Sequence, residues 1–488
     1  MNEVFATLAA QPDHRPWPRR EVDEAMWDAL AQQLAAGEIT LLGLWGEPGM
    51  VHMALLDAEN AVAVASLACV GGRFPSVARH HPPAIRLERT IHDLYGLEAI
   101  GAPDPRPWLD HGRWPSRKTS GGYAFLPSLG QGLHQIPVGP VHAGIIEPGH
   151  FRFTACGEAV VRLEERLGYA HKGVESLMAG AALDRAGFFA ARLSGDSTVA
   201  CSLSFSRAVE AALHFEPPPR GNWVRALMAE LERLANHFGD IGGVCNDAAF
   251  ALMLAHCSVL RERVLRACDV CFGHRMMMDV IIPGGLKADL NPEAPAVLRD
   301  LVATLRAAFP PLIELYENTA SLQDRTAGAG VLSAALARQF GCGGFVGRAS
   351  GRAFDARRDL AYPPYDRLKF DVPTLAEGDV NARVWLRIRE VEQSLGLIDQ
   401  ILAAMPPGRF FTEPPSGGGE GLALVEGFRG DILAWVRLAP DGKIDRCHMR
   451  DPSWFQWPLI EAAIEGNIVA DFPLLNKSFN CSYSGHDL

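Results

Sequence analysis

The stretch from Gly101 to Val138 is dense in proline and glycine, and the hydrophobic pattern differs on its two sides. Such backbone resists both helix and sheet, because proline lacks an amide donor and glycine carries extra conformational entropy. The chain is therefore expected to divide there, into a unit over residues 1–110, a linker over 111–138 and a second unit over 139–488. At 488 residues, more than one packed core is expected.

Upstream of the linker the pattern is that of a small α/β unit. Val22, Met26, Leu30 and Leu34 recur at helical spacing and predict a helix over Glu21 to Ala36. Ile39 to Trp45 and Val51 to Leu56 predict strands on either side of a Gly-Glu-Pro-Gly turn, while Ala61 to Val70 fits a strand or a helix. Downstream, His150 to Cys156 and Ala159 to Glu164 predict a hairpin. Trp223, Leu227, Leu231, Leu234 and Phe238 then form one helical stripe, with Glu230, Arg233 and His237 on the other face. Further helices are predicted over Ala251 to Cys271, Pro295 to Tyr316 and Arg383 to Ala404, and strands over Leu422 to Arg450. The expected class is α+β: a small N-terminal α/β domain followed by a large, mainly helical domain with a small sheet.

Composition narrows the function. With 48% hydrophobic residues the chain buries enough surface to fold throughout. Its 46 basic and 57 acidic residues leave a net charge of −11, which argues against nucleic acid or anionic lipid as a general partner. Ten cysteines are too few for a disulfide scaffold, and the first thirty residues lack a signal peptide, so a cytoplasmic location is expected. The longest apolar run, Ala61 to Val70, is half of the roughly 20 residues that span a bilayer. No direct membrane span is expected, and work at a membrane requires partner subunits.

An ordered set of motifs carries a resemblance. Glu88-Arg89, Asp93-Leu94-Tyr95-Gly96-Leu97 and Pro103-Asp104-Pro105-Arg106 come first, then Gly139-Pro140-Val141-His142 through Glu147-Pro148-Gly149-His150-Phe151-Arg152-Phe153. His171-Lys172-Gly173-Val174-Glu175, Glu230-Leu231-Glu232-Arg233 with His237, and Arg348-Ala349-Ser350-Gly351 with Asp355 and Arg357 follow. In this order they resemble the catalytic large subunits of membrane-bound, energy-converting nickel-iron hydrogenases of the formate hydrogenlyase type, and the fused C and D subunits of respiratory complex I. The resemblance implies a C-subunit-like first domain and a second one like a hydrogenase large subunit or a complex I D-type subunit. It also implies a small iron-sulfur partner subunit that carries the cluster, ion-translocating membrane subunits, and a peripheral place on the inner face of the membrane. For the complex as a whole it implies NADH dehydrogenase-type chemistry with quinone and NAD binding.

In that family four thiolates from two Cys-x-x-Cys pairs hold nickel and iron, a role suited to soft sulfur. Against the family pattern the first pair falls on Ser194 and Ser197, within Arg192-Leu193-Ser194-Gly195-Asp196-Ser197. The second falls on Ser482 and Gly485, with Cys481 one residue out of register. Serine is a hard donor and glycine offers none, so the nickel-iron centre is expected to be absent and these are former ligand positions. The chain ends at Leu488 without the removable tail that many hydrogenase large subunits carry, which agrees with that expectation. An alternative structural reading makes Ser194 to Ser197 a helix N-cap ahead of Thr198 to Leu213.

The resemblance implies further candidates. The position of the quinone-head tyrosine of the D-type family members falls on Gly195, whereas His142 or His150 corresponds to the histidine of the quinone loop. Glu175, Arg192, Asp196, Arg348 and Asp355, with Glu230, Arg233, His237 and Arg357, are candidates for a proton or anion site, or for ion pairs that only hold helices together. Three readings stay open: a subunit coupling redox or protonation events to ion translocation, a quinone-reducing subunit, and a scaffold without ligand. Cys268 and Cys271 are expected on one helix, which cannot wrap an ion by itself. Ser416 to Gly421 lacks the lysine of a phosphate loop and is expected to be a flexible loop, and Met276 to Met278 to be core filler.

Overall fold

The computed structural model describes residues 3–114, 123–141 and 146–488, and its class is the expected α+β. Strand β1 (Arg19–Val22) leads into helix α1 (Glu24–Ala36), then strands β2 (Thr40–Glu47), β3 (Met50–Leu56) and β4 (Val62–Ala68). Their order in the sheet is β1-β4-β3-β2, antiparallel except for the β1–β4 pair. Helix α1 starts later than the apolar spacing predicts, because the Asp23 carboxylate accepts from the Met26 amide at 2.8 Å and sets the N-terminus there.

The ambiguous segment after Asn60 is a strand because both of its faces are used. Ala63, Ala65 and Leu67 enter one core and Val62 and Val64 the other. Met53 and Leu55 of β3 likewise oppose Ala54 and Leu56. This sheet is buried on both sides, so the two cores each draw on both units, in place of one core per unit. Helix α2 (Ile85–Tyr95) lies on the seam and buries Arg86, Glu88, Arg89 and Asp93.

In the second unit, β5 (Leu133–Val141), β6 (Gly149–Cys156) and β7 (Ala159–Arg166) form an antiparallel sheet, so residues 133–138 of the expected linker are strand. Helices α3 (Thr198–Ala212), α4 (Pro219–Asp247) and α5 (Ala251–Phe272) follow. The single helix expected over Pro295 to Tyr316 is two, α6 (Ala294–Ala308) and α7 (Pro310–Asn318). Pro310 has no amide to continue the ladder, and its ring crowds the carbonyl one turn back. Next comes α8 (Val380–Ala404), then an antiparallel meander of β8 (Gly419–Gly427), β9 (Gly430–Leu438) and β10 (Ile444–Arg450), and α9 (Ser453–Ala463). Helix α10 (Tyr483–Asp487) is the last element.

The glycine-rich segment is not a flexible loop along its length, since Gly419 to Gly421 open β8. A Cβ at Gly421 would collide with the Ala208 carbonyl of α3, so the helix lies directly on the strand. Across the seam, Trp45 stacks on His448 with ring centroids 5.2 Å apart and lies 5.7 Å from Trp435. Arg19–Glu420 (2.7 Å) and the Arg450 bond to the Leu42 carbonyl (2.8 Å) latch the same face. Among the described residues no helix is long and apolar enough to cross a membrane.

Candidate functional site

The Ser194–Ser197 and Ser482–Gly485 segments, far apart in sequence, meet in space. Ser194 Oγ lies 2.8 Å from Ser482 Oγ. Ser482 caps α10, its hydroxyl accepting from the Gly485 amide at 2.9 Å, while its own amide donates to Ser453 Oγ. Asp196 accepts from Ser194 Oγ (2.9 Å) and from Arg429 Nη1 (2.7 Å), and Arg429 also donates to Ser197 Oγ at 3.0 Å. Burial alone would raise the Asp196 carboxyl, yet Arg429 and Ser194 hold it at about 2. Its side chain keeps 35% of its exposure, whereas that of Arg429 keeps 4%. The cluster is a buried guanidinium with its counter-ion at the rim.

These positions offer three hydroxyls and one residue without a side chain. A Cβ at Gly485 would stand 2.7 Å from the Asp451 carboxylate, so that space is already occupied. Cys481 points elsewhere, its thiol 3.8 Å from Gln456 Oε1 and held protonated by burial. The donor set therefore does not fit a nickel-iron centre, which needs four thiolates.

Ser197 occupies the N-cap position of α3 but makes no capping bond. The free amides of Val199 and Ala200 donate instead to Glu232 of α4, at 2.7 and 3.1 Å. Burial lifts the Glu232 carboxyl to about 8 against those two bonds.

A second cluster lies at the core of the helical unit. Arg348 contacts Glu390 (2.7 Å), Glu426 (2.8 Å) and Asp355 (3.4 Å), and Arg357 contacts Asp355 (2.7 Å) and Glu230 (2.9 Å). Glu230 also accepts from Tyr365 and Ser394, both at 2.6 Å. His237 Nε2 is 2.8 Å from Glu390, and Arg233 reaches Glu230 at 3.4 Å and Glu390 at 3.7 Å. Four carboxylates thus surround three guanidinium groups, all almost free of solvent contact. Burial and the Asp355 charge raise Glu426 to about 7 despite Arg348, while Glu390 and Asp355 are held below the usual range by their arginines, against burial. The arrangement carries one negative charge too many, and Glu426 is where a proton relieves it. Glu426 and Arg429 stand at the two sides of the β8–β9 turn, so one hairpin tip serves both clusters.

Two family models match this chain. Residues 247–417 match the family model of the 49 kDa subunit of respiratory-chain NADH dehydrogenase, and residues 48–123 that of its 30 kDa subunit. The chain is 31% identical to formate hydrogenlyase subunit 5 of Escherichia coli over 85% of its own length and 77% of that protein. It belongs to the family of membrane-bound hydrogenase large subunits and complex I 49 kDa subunits. It is also 31% identical to the D-type subunit of the NADH-quinone oxidoreductase of Dehalococcoides mccartyi, over 68% of this chain and 92% of that protein. Among solved structures, the membrane-bound sulfane sulfur reductase, an archaeal respiratory membrane complex, has a chain 26% identical, with a TM-score of 0.69 over 73% of this chain and 99% of that one.

Within this family member the predicted residues separate into groups. Asp196, Ser194, Ser197, Ser482 and Gly485 come together, as do Arg348, Asp355, Glu230, Arg233, His237 and Arg357. Glu175 joins neither cluster directly: it lies at the seam, accepting from His448 Nδ1 (2.6 Å) and from Tyr95 (3.1 Å). Arg192 faces outward, paired with Asp279 at 2.6 Å and set over the Phe188 ring. His150 bonds to the Gly139 carbonyl at 2.8 Å and packs on Phe125, while His142 lies outside the described residues. Cys268 and Cys271 are buried on α5, and burial pushes the Cys271 thiol up to about 11. Sequence reasoning missed Arg429, Glu426, Glu390, Asp451 and Glu232. Arg429 had one available signal, its place at a tight turn between two strands. Glu390 sits at no motif spacing and was not legible.

Proposed function

We propose that this chain is a peripheral subunit of a membrane-bound, hydrogenase-related or complex I-like oxidoreductase complex whose nickel-iron site has been lost, and that it couples redox or protonation events to ion translocation. One observation carries this reading. Where the family holds metal, Ser194 and Ser482 share a hydrogen bond beside the Asp196–Arg429 ion pair, and Asp451 fills the space at Gly485. The donors that meet there are hydroxyls and not the soft thiolates a nickel-iron centre requires. The proton-active element is the core cluster, where Arg348 and Asp355 belong to a group short of one positive charge. Partners on this reading are a small iron-sulfur subunit, which carries the cluster, and ion-translocating membrane subunits, with the chain on the inner face of the membrane. Metal analysis of the purified complex tests the loss: nickel below stoichiometry in this subunit is expected, and one nickel per chain would refute it.

A second reading, a quinone or other small acceptor, has one observation in its favour. The Gly195 Cβ direction is open, with nothing within 4 Å, next to the partly exposed Asp196. On this reading His142 or His150 supplies the histidine contact that the resemblance implies. Quinone reduction that survives replacement of His142, His150 and Asp196 would remove these residues from the mechanism, and a complex that reduces no quinone would remove this reading.

A further inference from the structure

A third group of charges lies away from both clusters, in a cleft between α2 of the first unit and β7 and α9 of the second. Arg86 of α2 reaches Glu165 of β7 at 3.2 Å and Glu461 of α9 at 2.8 Å. The Glu165 amide also donates to Glu461 Oε1 at 2.7 Å, which ties the two acids together through the backbone. Both glutamates and Arg86 line the cleft, with Trp108 and Pro458. The Glu165 side chain has no solvent exposure and the Glu461 side chain keeps 26%, so one acid is sealed and the other opens outward.

The charge count does not close with both acids ionised. Among the described residues Arg86 is the one cation in contact with the pair, and its guanidinium lies over the Trp108 ring at 4.6 Å. Glu165 Oε1 is buried and meets no donor among the described residues. An ionised carboxylate in that position would keep an uncompensated charge in a dry site, which is far costlier than a neutral acid. The other charged or titratable groups facing the pair do not supply the missing charge. Arg89 is committed to Asp104 (3.0 Å), Arg106 to Glu164 (2.6 Å), Arg162 donates to the Leu126 and Pro127 carbonyls (3.1 and 3.0 Å), and Cys481 and Tyr483 hold their protons because they are buried.

We propose that Glu165 and Glu461 form a proton-binding site: together with Arg86 they hold one shared proton and exchange it with solvent through the interdomain cleft. Two acids sharing one proton titrate as a pair, with the first proton lost easily and the second retained. Burial first, and the neighbouring carboxylate second, keep Glu165 well above the usual carboxylate range, which agrees with this geometry. Glu461, the acid that keeps 26% exposure, is where the pair meets water in the cleft, and its Oε1 is tied to Glu165 through the Glu165 amide at 2.7 Å. Because Arg86 belongs to the first unit and both acids to the second, deprotonation puts two anions on the contact that joins them.

Single glutamine replacements in the full-length chain test this, since glutamine imitates the neutral acid. Infrared spectra at pH 7 are expected to lose one deuterium-sensitive protonated-carboxyl band in Glu165→Gln or Glu461→Gln relative to the unmodified chain. The melting temperature of at least one single variant is expected to rise relative to the unmodified chain as pH increases, because the raised acid makes the folded state lose stability as pH climbs above the ordinary carboxylate range. The double variant leaves Arg86 unpaired and should melt lower at every pH. The proposal is overturned if both single variants retain the full band, or if both fail to fold where the unmodified chain folds. It is overturned equally if added sodium or potassium at fixed pH, and not pH, sets the stability difference, because the missing charge is then a metal cation.

Discussion

The Arg429 guanidinium and the Asp196 carboxylate are joined at 2.7 Å, with the arginine buried and the aspartate at the rim. This pair occupies the junction of the Ser194–Ser197 and Ser482–Gly485 segments. Asp196→Asn leaves Arg429 buried without its counter-ion. Because Asp196 is a third exposed, the expected loss is discounted to about 1–2 kcal/mol in denaturant unfolding. The folded-state carboxyl at about 2 lies below its ordinary 3.8, so the contribution is complete above 3.8 and is lost as pH falls through 2. A stability difference between variant and unmodified chain that stays constant down to pH 2 would contradict the pairing.

Gly485 is required by space and not by backbone angle. Gly485→Ala places its Cβ 2.7 Å from the Asp451 carboxylate and should cost about 1–3 kcal/mol, the range for overpacking a core. Asp451→Ala is expected to relieve much of that penalty. A double-mutant cycle measures the coupling, and additive effects would show that the contact does not exist.

Glu426 gives the core cluster a distinct pH signature. Its folded-state value of about 7 stands above the ordinary 4.5, so the folded protein keeps the proton longer and stability falls as pH rises from 4.5 to 7. Glu426→Gln should remove that slope and gain stability relative to the unmodified chain across this window. Thermal unfolding at several pH values reads it directly. Parallel curves for the two proteins would rule the assignment out.

Arg348 sits among three carboxylates, so its removal has the opposite sign. Arg348→Met is expected to lose about 3–5 kcal/mol, because the acids it leaves behind are buried and uncompensated. At pH 5 the loss should be smaller than at pH 8, since protonation then neutralises part of the excess charge.

Glu232 caps α3 from a neighbouring helix. In Glu232→Ala the amides of Val199 and Ala200 lose their acceptor, with an expected cost of about 1 kcal/mol or more. Hydrogen exchange at those two amides should accelerate selectively. Unchanged protection there would mean that Ser197 takes over the cap.

The sequence by itself determined most of the elements and the absence of thiolates at positions 194, 197, 482 and 485. Apolar spacing placed α4 and α5, alternation placed the β6–β7 hairpin, and the serines at 194, 197 and 482 were readable against the family pattern without coordinates. Local periodicity and residue chemistry suffice for these, since each depends on neighbours in the chain. Tertiary structure alone decided what fills the vacated positions and which charges share a cluster. Arg429, Glu390 and Asp451 reach their partners across 233, 42 and 34 residues, and Arg192 and Glu175, close to the motifs in sequence, turn away to Asp279 and His448. The sheet β1–β4 shows the same limit, because burial on both faces joined two expected domains into shared cores. A buried charge is stable only where its counter-charge is, and that location is set by how the helices and hairpin pack, which no spacing along the chain encodes.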